Sequence, residues 1–226
     1  PTDNAVSGSS VTINVTHTET NPDKLQFFVD GTLNETRTYT NGSTNLTRTF
    51  SDGIHTYNIT INDTAGNLLG LATRTVTIDT TAPTATITSP SNNTWTSSAT
   101  PTITINTTDA LDSTINYSIT ADGTLNSQGN ASNNTLTNVT LAALTNGTHT
   151  LVLRATDNAN NTGTSTTLTI TVDTSAPTIT LNGPTNGTSL SATSANLTWT
   201  ATDNLNTSVS CNVTVNSAVN ATGLAS

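Results

Sequence analysis

Charge is scarce in this sequence. Only 8% of its 226 residues are Asp, Glu, Lys or Arg, and Lys24, Arg37, Arg48, Arg74 and Arg154 are the entire basic set. Counterion release from a phosphate backbone needs several clustered cations, so no nucleic acid is expected as a partner. The same scarcity removes attraction to an anionic membrane surface. No apolar run reaches the roughly 18 residues of a membrane span, and no basic start precedes an apolar stretch. Direct membrane insertion and a signal peptide are therefore not read here. A single cysteine, Cys211, rules out a disulfide framework within these residues. Methionine is absent and Pro1 opens in mid-pattern. The stretch reads as an internal portion of a longer chain.

Aromatics are also few, at 4%, and apolar residues reach only 32%. Such a composition invites disorder. The spacing argues otherwise, because the apolar residues alternate with polar ones, as in Ile103/Ile105, Ile115/Tyr117/Ile119 and Leu151/Leu153. Several thin cores are expected rather than one large one. With a net charge of -9 carried on so few ionic groups, Thr, Asn and Ser must solvate the surface.

What is abundant is repetition. Gly53–Pro83 (GIHTYNITINDTAGNLLGLATRTVTIDTTAP) aligns without a gap onto Gly147–Pro177 (GTHTLVLRATDNANNTGTSTTLTITVDTSAP), at an offset of 94 residues. The offset continues past the junction, pairing Pro90 with Pro184 and Asp109 with Asp203. Strands are predicted in the middle unit at Thr84–Thr88, Thr102–Thr108, Thr114–Thr120, Thr135–Leu141, Thr148–Thr156 and Thr164–Val172. Thr, Val and Ile dominate them, turn residues separate them, and nothing supports a useful helix. The fold class expected is all-β: tandem two-sheet sandwiches of immunoglobulin size. The predicted domains are 1–82, lacking its first strand, a complete 83–176, and 177–226, the N-terminal half of a third. Asp79–Pro83 and Asp173–Pro177 form short junctions that proline should stiffen. Thr178–Asn182 copies the strand missing from the first unit, so strand donation between chains is a lesser alternative to simple omission of that strand.

The runs TVTIDTTAPTATITSP, TDNANNTG and LTWTATDN resemble the tandem immunoglobulin-like repeats of prokaryotic cell-surface proteins. The Asn/Thr-rich flavour of LQFFVDGTLNETRTYTNGSTNLTRTFSDGIHTYNITINDTAGN is most similar to archaeal versions. The resemblance implies an extracellular, cell-surface location and use as an adhesin stalk, a filament or surface-layer component, or a spacer beside an enzyme. Neighbouring immunoglobulin-like domains of the same protein are the implied partners, with self-assembly into a filament or layer. A Lys–Asn isopeptide crosslink, known in some surface domains of this type, needs a lysine that the second unit lacks.

Asn-X-Ser/Thr occurs nineteen times, where the content of 30 Asn and 80 Ser plus Thr would give near eleven by chance. The acceptors are Asn14, Asn34, Asn41, Asn45, Asn58, Asn62, Asn92, Asn106, Asn116, Asn130, Asn133, Asn138, Asn146, Asn160, Asn186, Asn196, Asn206, Asn212 and Asn220. In the sequons at Asn14, Asn58, Asn116, Asn196 and Asn212 the middle residue is apolar. Period two should send that residue to the core and both sequon residues outward. N-linked glycans are therefore expected at many of these sites.

No nucleophile–base arrangement, zinc spacing, phosphate loop or paired-carboxylate motif occurs, so no catalytic residue, metal or cofactor is expected. His55 and His149 repeat at one strand start, and an active site is seldom copied into every repeat. A structural role is read for both. Asp63/Asp157 fall in a hairpin, Asp79/Asp173 flank a junction, and Asp109/Asp203 lie in a loop. Convergence of these acids on calcium at a junction is the alternative to turn and capping roles, which low acidic density favours. Cys211 aligns with inward Tyr117, as a buried thiol or the partner of a cysteine elsewhere. Trp199 takes the core position of Ile105, and Trp95 is read as an exposed loop residue. The functional expectation is a non-enzymatic, glycosylated structural or adhesive rod. The alternatives are a carbohydrate- or protein-binding adhesin module and a passive spacer on a secreted enzyme.

Overall fold

The computed structural model describes residues 5–40 and 42–225. They form only strands, turns and loops. In the first unit these are β1 (Ala5–Ser7), β2 (Ser10–His17), β3 (Pro22–Val29), β4 (Thr32–Thr38), β5 (Gly42–Thr49), β6 (Gly53–Asp63), β7 (Leu68–Gly70) and β8 (Arg74–Ile78). One sheet runs β1-β8-β6-β3-β4, with β7 on β6, and β2 pairs β5 in the other. The burial of β2 alternates strictly along SVTINVTH, which puts Val11, Ile13 and Val15 inside. They meet Leu25, Phe27, Tyr57, Ile59, Val76 and Ile78 from the facing sheet.

The second unit repeats this plan with one strand more. It contains β9 (Thr84–Ser89), β10 (Thr94–Thr96), β11 (Thr102–Thr108), β12 (Thr114–Ala121), β13 (Thr124–Ser132), β14 (Thr137–Thr140), β15 (Gly147–Thr156), β16 (Thr162–Thr164) and β17 (Leu168–Val172). The sheets are β14-β11-β9 and β10-β17-β15-β12-β13, with β16 on β15. Ile103 and Ile105 of one sheet pack on Ile119, Leu151, Leu153, Ile170 and Val172 of the other. Full burial of side chains of this size stabilises by about 1.5–3 kcal/mol each, which lets few residues hold a thin sandwich.

Three strand expectations need correction. Trp95 is not in a loop but on β10, paired in parallel with β17, although its side chain is 53% exposed. β13 was not expected; it is an edge strand whose one fully inward residue is Ala131. The expected strand Thr164–Val172 is split: the Ser165 amide still donates to the Leu153 carbonyl, but the Leu153 amide is taken by the Ser165 hydroxyl in place of a backbone carbonyl.

The third unit comprises β18 (Thr178–Gly183) paired with β19 (Thr198–Thr202), and β20 (Ser210–Val215) paired with β21 (Ala218–Ala225). These match β9, β11, β12 and β13. Ile179 and Leu181, the counterparts of the packed Ala85 and Ile87, are 60% and 79% exposed. Cys211 is buried on β20 with a free thiol. Trp199 is half-buried, and its indole N–H has no partner.

Candidate functional site

The first junction is held from both sides. Asp52, in the turn before β6, accepts from the Thr80 amide at 3.1 Å and from the Thr80 and Thr81 hydroxyls, each at 2.8 Å. From the second unit, Nδ2 of the Asn161 side chain donates to the Asp79 carbonyl at 3.0 Å. Gly163 lets β16 approach the same segment: a Cβ there would overlap the Pro83 carbonyl oxygen. The second junction repeats the first anchor, as Asn146 accepts from the Thr174 amide and hydroxyl and donates to Ser175.

Three of the repeated acids meet at the first junction. Asp79 ends the first unit, Asp109 lies in the β11–β12 loop, and Asp157 opens the β15–β16 hairpin. Each offers a carboxylate oxygen within 4.8 Å of those of the other two. Their capping roles are also present. The Oδ1 atoms of Asp79, Asp109 and Asp157 accept from the Thr81 amide, the Leu111 and Asp112 amides, and the Asn161 amide respectively. Asn133 braces the Asp109 backbone from both its amide and its carbonyl. The second oxygens differ: Oδ2 of Asp79 and Oδ2 of Asp109 are buried and accept nothing. Burial, and then the nearby Asp109, Asp157 and Asp112 charges, push the Asp79 carboxyl above its ordinary range. Sequence reading found each acid and weighed their convergence at a junction only as the alternative to turn and capping roles, because they lie 30 and 48 positions apart and form no local motif.

The two repeated histidines do structural work. His149 Nδ1 donates to Asp122 at 2.7 Å and Nε2 to the Thr145 carbonyl at 2.8 Å. His55 does the same to Asp30 and Ser51. Asp30 and Asp122 begin Asp-Gly hairpin turns with positive φ at both residues, the type I′ signature. His17, without a repeat partner, is buried and bonds Thr44.

The sequons fall into distinct settings. Asn14, Asn45, Asn130 and Asn138 are exposed, with the residue after each buried beneath the sheet. Asn34, Asn92, Asn116, Asn160, Asn186, Asn196, Asn206 and Asn212 are exposed as well. Leu197, expected in the core beneath the Asn196 sequon, is instead 40% exposed on the open third unit. Asn58 and Asn106 are half-buried, and Oδ1 of Asn106 is enclosed without a partner. Asn62, Asn133 and Asn146 spend their amide nitrogens on Asp23, Asp109 and Ser175. Asn41 and the side chain of Asn220 lie outside the described residues.

Two family models place this architecture. A bacterial Ig-like domain matches residues 83–174, and a bacterial Ig-like domain of group 3 matches residues 132–219. The chain is a tandem of immunoglobulin-like domains. No curated protein sequence matches it. Among solved structures it is similar to the fibronectin(III)-like modules of Clostridium thermocellum CbhA, at 16% identity over 76% of this chain and 89% of that one, TM-score 0.43. It is also similar to a 1.5-MDa bacterial ice-binding adhesin, at 22% identity over 80% of this chain and 66% of that one, TM-score 0.37. Chicken CNTN1 FN1-FN3 matches at 14% identity over 75% of this chain and 62% of that one, TM-score 0.42.

Proposed function

We propose that these immunoglobulin-like domains form a non-enzymatic, extracellular rod that serves a structural or adhesive purpose in a cell-surface stalk, filament or layer. The observation that carries this reading is the doubly anchored first junction. Asp52 ties Thr80 and Thr81 to the first domain, while Asn161 and the Gly163–Pro83 approach tie the same segment to the second. A linker of five residues held at both ends leaves little room for hinge motion between domains. N-linked sugars on the exposed sequons would solvate a surface with few charges and shield sheet edges from pairing with other chains. Small-angle scattering of the whole chain tests the rod, and intact-mass measurement of native material tests the sugars.

A binding module is the second reading, favoured by Trp95. Its exposed indole flanks a shallow groove that Pro90, Thr94 and Pro101 also line, a surface on which a sugar ring can stack. Trp95→Ala should abolish retention on immobilised glycans if this groove binds them; unchanged retention would remove the reading.

A further inference from the structure

We infer that the outer edge of β2 is a strand-acceptor groove, and that it takes β18 from a second copy of the chain. This goes beyond the rod reading, because it names what joins one rod to the next.

The second domain supplies the template. There β11 lies between β14 and β9, whereas its counterpart β2 pairs only with β5 among the described residues. The Thr-Ile-Asn runs 12–14 and 104–106 fix the correspondence, so Ile13 stands for Ile105 and Val15 for Thr107. In the second domain Ile87 and Ala85 of β9 lie opposite those two positions and pack on the core. In the first, two neighbouring cavities line the β2 edge at the same levels. One, of about 200 Å³, is walled by residues that include Val15, Ile59, Leu69 and Leu71. The next, of about 220 Å³, is walled by residues that include Ile13, Tyr57 and Leu71. An apolar cavity of about 150 Å³ holds a benzene ring, so each has room for an aliphatic side chain. Pockets for alternate side chains beside such an edge are the geometry of strand addition.

β18 fits this groove. It is the 94-residue copy of β9, with Ile179 at the place of Ala85 and Leu181 at that of Ile87. Both side chains are exposed where β18 pairs with β19. Moving β18 onto β2 trades one antiparallel ladder for another, and it takes Ile179 and Leu181 out of water. The strand, TITLNG, carries no charge, so none is buried.

The first domain also lacks the glycine that lets a linker run over this part of the sandwich. Leu69 and Leu71 stand where the second domain has Gly163 and Ser165, and a Cβ at Gly163 already overlaps the Pro83 carbonyl. A strand that fills the first groove must arrive by another path, as one from a separate molecule does. Donor and acceptor are different surfaces, in the third and first units, so the contact is heterologous and extends into an open series.

Refolding the whole chain at rising concentration, followed by mass measurement with light scattering, tests this. The mass should climb past the monomer in an open series, and free TITLNG peptide should return it to monomer. Ile179→Asp/Leu181→Asp removes the donor and Leu71→Asp blocks the acceptor. All three residues are exposed, so each variant should fold and stay monomeric. Refolded together, the two variants should give a dimer and nothing larger. A parent that stays monomeric at every concentration would overturn the exchange, and an elongated scattering profile from that monomer would leave the rod standing. Association that persists unchanged in both variants would overturn the exchange too. So would slow hydrogen exchange at consecutive β2 amides in a monomeric parent, since the groove would then be covered from within its own chain.

Discussion

His149 and Asp122 are joined at 2.7 Å, and the imidazole is acceptor-bound at both nitrogens. Nδ1 faces the Asp122 carboxylate and Nε2 faces the Thr145 carbonyl. Both partners can only accept, so the pair is complete when the ring carries two protons. Burial alone would lower the His149 pKa, but the Thr145 and Asp122 bonds outweigh it and the net shift is upward from about 6.5. For His55 the Asp30 bond is the largest influence, and the shift is again upward.

The sign of the pH dependence follows. A histidine pKa raised by folding contributes stability that is complete below the unfolded value near 6.5 and is lost as pH rises through the folded value. Asp30 and Asp122 are lowered, Asp30 chiefly by His55 and Asp122 chiefly by the Thr150 amide. Their contribution is present above about 3.8 and lost as pH falls through the folded values. The urea midpoint should therefore be higher at pH 5.5 than at pH 8.5. The His55→Gln/His149→Gln double variant should lose most of that difference, and an unchanged difference would contradict the assignment.

Removing the carboxylate tests the same latch differently. Asp122 also accepts from the Thr150 amide at 2.8 Å and its hydroxyl at 3.1 Å. Asp122→Ala leaves these donors to water and places Ala at positive φ. Loss of such bonds costs about 1–3 kcal/mol, measurable by urea titration. Asp122→Asn should cost less, because Asn tolerates the left-handed backbone and retains one acceptor oxygen.

Gly163 is set by the junction and not by the sandwich. Its counterpart by the 94-residue offset is Leu69, which is 61% exposed on β7. A side chain is thus acceptable at that place in the fold. At 163 the Pro83 carbonyl fills the space. Gly163→Ala should leave the cores intact but displace the linker, at a cost of about 1–3 kcal/mol for overpacking. Greater protease sensitivity within residues 79–84 would support this, and unchanged cleavage would contradict it.

Two pairs of sequons face each other. Asn14 stands directly across from Asn45, and Asn116 from Asn130. Directly opposed Cβ atoms are about 4.5–5.5 Å apart, so a bulky glycan on one obstructs the other. Glycopeptide analysis of native material should find no more than one sugar per pair in any molecule, with Asn62, Asn106 and Asn133 unmodified. Simultaneous occupancy of both members would refute the steric argument.

The sandwich was legible because Ile103/Ile105 and Leu151/Leu153 alternate cleanly, and because the 94-residue repeat displays the pattern twice. β13 was not, since Asn126, Gly129 and Asn130 are poor strand formers and only an edge position tolerates them. β10 is three residues long, too short for any period to show. The repeated acids were legible as turn-formers, which their Oδ1 atoms are. Their meeting at Asp79 depends on how one domain seats on the next, and periodicity within a domain carries no information about that.

Small-angle scattering of the whole chain tests the central claim most directly. A compact chain of 226 residues would have a radius of gyration of about 17 Å. The stacked arrangement predicts a value well above that, with the cross-section of a single sandwich and little of the spread expected from flexibly linked beads. A radius near 17 Å, or the profile of freely jointed domains, would contradict the rod.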